Sequence, residues 1–344
     1  MNDSNTGIAF DPIFLKHDQS GHPENSKRLE SILNGLKEKS LLDKVKMLKS
    51  RTVDTVEIAV CHPKNYSDSV REFCEKGRGY LDSDTYTNSY SFEAAATAVG
   101  CSIDLTKAVI NGEIQNGFAL LRPPGHHALA NRSMGFCLFG NIAIAAKIAL
   151  AQPGINKVAI ADFDVHHGNG TQALVGDDPN ILFISSHQYP FYPGTGSIRE
   201  IGTGAAEGTI INIPLQAGVG DNGFKMVYEK VVIPSLEKFK PDIILVSAGY
   251  DAHWDDPLAN LNLSLTGFNQ ISTELIKCAE DVCSGKIVFF LEGGYNLNVL
   301  KEGVANTIRA LLGIEDFEDP IGKSNIAEPD IEKLVSNLIS THKL

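Results

Sequence analysis

Four of the ten histidines stand in two tandem pairs, His126-His127 behind Arg122-Pro123-Pro124-Gly125 and His166-His167 behind Asp162-Phe163-Asp164-Val165. Two other stretches carry groups of matching chemistry, Asp251 ending Ser247-Ala248-Gly249-Tyr250-Asp251 and Tyr295 ending Glu292-Gly293-Gly294-Tyr295. Carboxylates and imidazoles ligate metals, imidazoles carry protons near neutral pH, and a phenol can donate to a developing oxyanion. Together they could run the metal-assisted hydrolysis of an amide.

An extended backbone through 162–166 would put Asp162, Asp164 and His166 on one side, because strand side chains alternate. Such a set suits Zn²⁺, with Fe²⁺ as the alternative ion, and Asp251 after another strand completes it. The competing reading is a buried Asp/His hydrogen-bond network with no metal. It is disfavoured because burying that many carboxylates without a cation is costly or forces them to protonate. His126-His127 sits on a Pro-Gly turn, where adjacent rings cannot easily chelate one ion but can both face a water beside it. Tyr295, behind two glycines, is expected on a flexible hinge over the crevice; a tyrosine packed in a turn is the bland alternative.

These groups need a frame. Short β-rich runs at 117–121, 157–163, 180–185, 242–247 and 286–291 alternate with helix-like stretches at 141–151, 223–239 and 266–283. Strand–helix alternation with nearly continuous apolar strands predicts an α/β fold, a parallel sheet covered on both faces. Each chemical motif follows such a run, and ligand crevices in open α/β sheets lie beyond the carboxyl ends of the strands. The first hundred residues, with a helix at 28–37 and a loop at 85–89, are expected to decorate the same domain. A helix at 330–339 is expected on the surface. The domain reading is one catalytic domain over 1–344, with a core at about 8–312 and a helical extension at about 315–344.

Hydrophobic residues make up 43% and charged residues 21% of the 344, enough apolar material for a large core and against extended disorder. The net charge of -12, without a basic cluster, argues against direct nucleic-acid binding. The apolar stretches fall short of a membrane span. Six cysteines without a Cys-x-x-Cys pair, and a start lacking the apolar core of a signal peptide, lead us to expect free thiols and a cytoplasmic location.

Arg-Pro-Pro-Gly-His-His, Gly-Phe-Cys, Asp-x-Asp-x-His-His-Gly-x-Gly and Gly-Gly-Tyr occur here in order, and with His17, His22-Pro23-Glu24 and 82–86 they span the chain to about Leu312. This pattern resembles the histone deacetylase superfamily, which includes acetylpolyamine amidohydrolases and acetoin-utilisation proteins. The resemblance implies an arginase-like fold, with Asp164, His166 and Asp251 as zinc ligands and His127 as general base beside its electrostatic partner His126. It further implies that Asp162 orients His126 and that Tyr295 polarises the acyl carbonyl. Asn169 stands where class I members carry Asp, as in class II, and Glu292 is also class II-like; a neutral Asn should leave His127 less basic. A structural K⁺ site is implied at Asp162, Asp164, His166, Ser185 and Ser186.

The resemblance also implies a tunnel for an acyl-lysine chain, with Gly135, Phe136, Tyr192, Leu258 and Gly294 as substrate-binding residues. Leu258 stands where polyamine-selective relatives carry Glu and offers nothing to a second ammonium. Acyl-lysine peptides or proteins are therefore expected before acetylpolyamines or other small N-acyl-amines. Two other classes stay open: a non-catalytic acyl-group or metal-binding protein, and a two-metal ureohydrolase, which would need more Asp/His ligands and no Tyr295.

Overall fold

The computed structural model describes residues 5–344. Among them the strands are β1 (Thr6–Ala9), β2 (Lys46–Leu48), β3 (Gly79–Tyr80), β4 (Tyr86–Thr87), β5 (Asn116–Ala119), β6 (Val158–Asp162), β7 (Ile181–Gln188), β8 (Ile210–Leu215), β9 (Ile243–Ala248) and β10 (Ile287–Leu291). Eight form one sheet in the order β2-β1-β5-β10-β9-β6-β7-β8, every neighbouring pair parallel; β3 and β4 pair antiparallel apart from it. The expected single α/β domain with a parallel sheet between helices is therefore observed.

Burial on both faces explains the apolar central strands. Ile243, Ile244, Leu245 and Val246 of β9 are all fully buried, and each such side chain contributes about 1.5–3 kcal/mol by leaving water. The helices Leu265–Cys283 and Leu297–Leu311 start at capping side chains, Ser264 and Asn296, which accept backbone N–H groups of the first turn.

The topology decides where chemistry can occur. From β5 the chain passes to β6 and leaves a gap that β9 and β10 later return to fill. The register sets Ala119 beside Phe290, Leu291 beside Ala248 and Ser247 beside Asp162. Four adjacent central strands thus end nearly level, and the segments carrying His126, Tyr295, Asp251 and Asp164 leave from those ends. That is the crevice position expected for an open parallel sheet.

Several sequence-based expectations need correction. The first hundred residues do more than decorate: β1 and β2 belong to the main sheet, their short runs lacking the apolar length of the central strands. The loop expected at 85–89 contains β4, which pairs with β3. The helix expected over 223–239 is broken by a π-helical turn at Tyr228–Val232. The helix Ser91–Ile110 was missed because it is apolar on nearly every side, so no stripe marks it. The last helix runs Glu332–His342, shifted from the expected 330–339, and lies on the surface as expected with Val335 and Leu338 packed inward. No helix among the described residues is long and apolar enough to cross a membrane.

Candidate active site

The stretch from Asp162 to His166 is built by a bend. β6 stops at Asp162, after which Asp162 Oδ1 accepts the Asp164 N–H at 3.0 Å and Asp164 Oδ1 accepts the His166 N–H at 2.9 Å. Each acid thus ties down the backbone two residues on, as Asp side chains do in turns. Strand alternation is therefore not what gathers these residues, and they divide: Asp162 serves His126, while Asp164 and His166 meet Asp251 from the loop after β9.

His166 Nδ1 lies 3.2 Å from Asp164 Oδ1 and 3.4 Å from Asp251 Oδ2. Tetrahedral bonds to zinc place neighbouring ligand atoms about 3.3–3.5 Å apart, so the set has the right span. Asp251 Oδ1 is held by the Val165 N–H at 3.0 Å, whereas buried Asp251 Oδ2 has no hydrogen-bond partner among the described residues. A side chain at Gly293 would run into the carboxylates of Asp251 and Asp164; glycine lets its N–H reach Asp164 Oδ2 at 2.8 Å.

The electrostatics ask for a cation. Burial pushes the Asp251 carboxyl up, and the charge of Asp164 adds to it. Burial would lower His166, yet Asp164 and Asp251 outweigh it and push the ring up to about 10. A divalent ion fits this donor set.

Beside it stands the histidine pair, ring centroids 4.0 Å apart. Glu292 Oε2 fixes its backbone, accepting from Gly125 N–H at 2.7 Å and His126 N–H at 3.1 Å. His126 Nδ1 donates to Asp162 Oδ2 at 3.1 Å. Burial opposes a charge on His126, but Asp164 and Asp162 raise the ring to about 10. His127 Nδ1 is 2.7 Å from Asn169 Oδ1; an amide oxygen only accepts, so Nδ1 carries the proton and the neutral ring keeps Nε2 free as a base. Burial, with the charges of His126 and His166, holds His127 well below 6.5. Gly135 presses on that ring: its φ is +55°, and a Cβ there would run into His127.

Aromatic groups surround these polar ones. Tyr192 meets the rings of His127 and His166 edge-on at 5.2 and 5.9 Å, and Phe191 stacks on His166 at 5.5 Å. Phe136, with φ +69°, packs edge-on against Tyr295 at 5.9 Å and His22 at 4.8 Å. The Arg28 guanidinium lies over the Tyr295 ring at 5.1 Å, and burial keeps that phenol protonated far above its ordinary value. Leu258 is half-buried, and the Gly294 carbonyl accepts from Arg28 Nε at 2.7 Å. Ser185 lies beside Asp162 in the β6–β7 register, Ser185 Oγ is 2.9 Å from His187 Nδ1, and Ser186 Oγ donates to the Asp162 carbonyl at 3.4 Å.

Sequence reasoning missed the support beneath. Arg28 Nη1 donates to Glu24 Oε1 at 3.1 Å and Nη2 to the Glu292 carbonyl at 2.5 Å, and Arg122 grips the same Glu24 carboxylate with two nitrogens. The Glu24/Arg28 spacing of four residues across the start of a helix was a readable hint. Thr85 Oγ1, which accepts the Phe136 N–H at 3.1 Å, had no such signal.

Comparison with known proteins agrees with this architecture. The chain matches the histone deacetylase domain over residues 22–311. It is 42% identical over 327 residues to histone deacetylase 14, chloroplastic, of Arabidopsis thaliana, covering 89% of this chain and 77% of that protein. It is 40% identical over 295 residues to a probable deacetylase of Archaeoglobus fulgidus, covering 85% of this chain and 82% of the relative. The crystal structure of the HDA15 HD domain superposes with a TM-score of 0.90 at 35% identity, covering 98% of this chain and 94% of that one. The chain belongs to the histone deacetylase family. It is a hydrolase of amide bonds.

Proposed function

We propose that the protein is a zinc-dependent deacetylase that removes acetyl or other acyl groups from lysine side chains of peptides or proteins. The observation that carries this is the orphaned Asp251 Oδ2 facing His166 Nδ1 and Asp164, a buried acidic set short of one cation. Asp164, His166 and Asp251 would hold the ion, which when bound supplies Lewis acidity toward a carbonyl and a water. His127 Nε2 takes the proton of the attacking water. The Tyr295 phenol, kept protonated by burial, donates to the oxyanion as the carbonyl carbon becomes tetrahedral. Protonated histidine then donates to the departing lysine nitrogen, leaving carboxylate and free amine. Asp162 and Asn169 keep the two rings in the tautomers this needs.

The substrate reading is supported by the aromatic walls Phe136 and Tyr192, by Gly135 and Gly294 near the reacting groups, and by Leu258, which offers no charge to a polyamine. The proposal extends to K⁺ held by oxygens of Asp162, Asp164, His166, Ser185 and Ser186, and to a cytoplasmic location, for which six buried free thiols favour a reducing compartment. Hydrolysis of an acyl-length series on one lysine peptide, beside acetylspermidine and with metal analysis of the same sample, tests it. Preferred turnover of the peptide with one zinc per chain is expected; preference for acetylspermidine would overturn the substrate. Tyr295→Phe should lower kcat roughly 100-fold with metal content unchanged, and unaltered turnover would refute the phenol's role.

A further inference from the structure

Tyr295 follows two glycines, Gly294 at φ +114°, so its own backbone supplies little rigidity. Asp164 and Arg28 tie down Gly293 and the Gly294 carbonyl before it, and the backbone N–H of Tyr295 itself is held from the neighbouring loop. Asp256, only 6% exposed, accepts the Tyr295 N–H at 2.7 Å and the Asn296 N–H at 3.3 Å with Oδ2, while Oδ1 accepts the Leu258 N–H at 3.0 Å. Asp255 adds to the clasp: its carbonyl and Oδ2 each accept from Asn296 Nδ2 at 2.9 Å. One buried carboxylate therefore joins the turn carrying the phenol to the loop that carries Asp251 and Leu258. The flexible hinge expected from the two glycines is pinned.

We infer that Asp256 is a positioning residue for the hydrolysis, setting the Tyr295 phenol against the substrate carbonyl without touching either. The inference rests on the oxyanion role proposed for Tyr295. A donor displaced by about 1 Å can cost about 100-fold in rate, and a donor that acts in the transition state is lost from kcat and not from KM. Loosening the clasp should leave Asp164, His166 and the aromatic walls in place.

The test is a double-mutant cycle on the zinc-loaded protein with an acetyl-lysine peptide. Asp256→Asn puts an amide N–H₂ against backbone donors and should lower kcat about 10- to 100-fold with KM within about threefold, at unchanged zinc content. Added to Tyr295→Phe it should cost almost nothing more, because the group it positions is already gone. An additive loss, a change in KM alone, or unaltered kcat would overturn the inference. Asp256→Ala, which removes both acceptors where Asn keeps one, should lose at least as much kcat as Asp256→Asn; a clearly smaller loss would count against the inference. Hydrogen exchange on the unaltered protein gives a reading independent of activity and of variant folding. The Tyr295 amide should be strongly protected, and free exchange there would contradict the clasp even if the acetyl-lysine reading itself failed.

Discussion

Two buried ionic clusters lie one behind the other at the carboxyl edge of the sheet, and they are finished differently. In the rear cluster the Glu24 carboxylate is met by two guanidiniums, Arg28 and Arg122, all three fully buried. Burial alone would raise the Glu24 carboxyl, but Arg122 and Arg28 hold it far below the usual carboxylate range. In the front cluster Asp164 and Asp251 share one imidazole, and Asp251 Oδ2, 3.4 Å from its Nδ1, accepts no hydrogen bond among the described residues. A buried charge that the chain neutralises itself is part of the scaffold. One left short of a cation marks a place for something to bind.

The contrast predicts opposite consequences for equally small changes. Asp251→Asn should lower deacetylase turnover by more than about 100-fold, since even a residue behind a metal ligand is commonly worth 10- to 100-fold. The metal-stripped variant should nevertheless unfold at the same or a higher temperature, because the buried repulsion between the Asp251 and Asp164 carboxylates has been removed. A clear fall in that temperature would mean that the front cluster is scaffold as well. Glu24→Gln should do the reverse at its own site, losing roughly 3–5 kcal/mol in denaturant unfolding because two guanidiniums stay buried without their anion. Stability within about 1 kcal/mol of wild type would break the comparison.

How much of this could be read beforehand follows the same division. The reacting residues were legible because their types are unusual together and each follows a strand: Asp164, His166, Asp251, the histidine pair and Tyr295 all come to the crevice edge. The parallel core was legible from apolar runs such as that of β9. Of what holds the reacting residues, Asp162 and Asn169 were legible through the family resemblance; the rest was not, because Asp256 acts through backbone N–H groups that any residue type supplies, and Arg122 reaches Glu24 across 98 positions of chain. Strand periodicity alone puts Asp162 near the metal, whereas the family resemblance assigns it to His126, the ring its Oδ2 meets at 3.1 Å once the chain bends after β6.

A smaller effect sharpens the rear cluster. His17 lies against Glu24 and Tyr86, but burial, reinforced by Arg122, lowers it to about 3 despite the Glu24 charge. The unfolded chain binds a proton near 6.5 that the folded protein refuses, so His17 contributes stability that is complete above about pH 6.5 and is lost as pH falls toward 3, at about 1.4 kcal/mol per pH unit. His17→Gln should flatten the slope of unfolding free energy between pH 6 and pH 4 by about that amount. An unchanged slope would show that His17 is already charged in the folded protein.

Calorimetric titration of metal-stripped protein with Zn²⁺, followed by its unfolding temperature, bears most directly on the front cluster. One ion should bind per chain with a rise in that temperature, and Asp251→Asn should lose both. Absence of saturable binding, or equal binding by Asp251→Asn, would contradict a metal centre built from Asp164, His166 and Asp251.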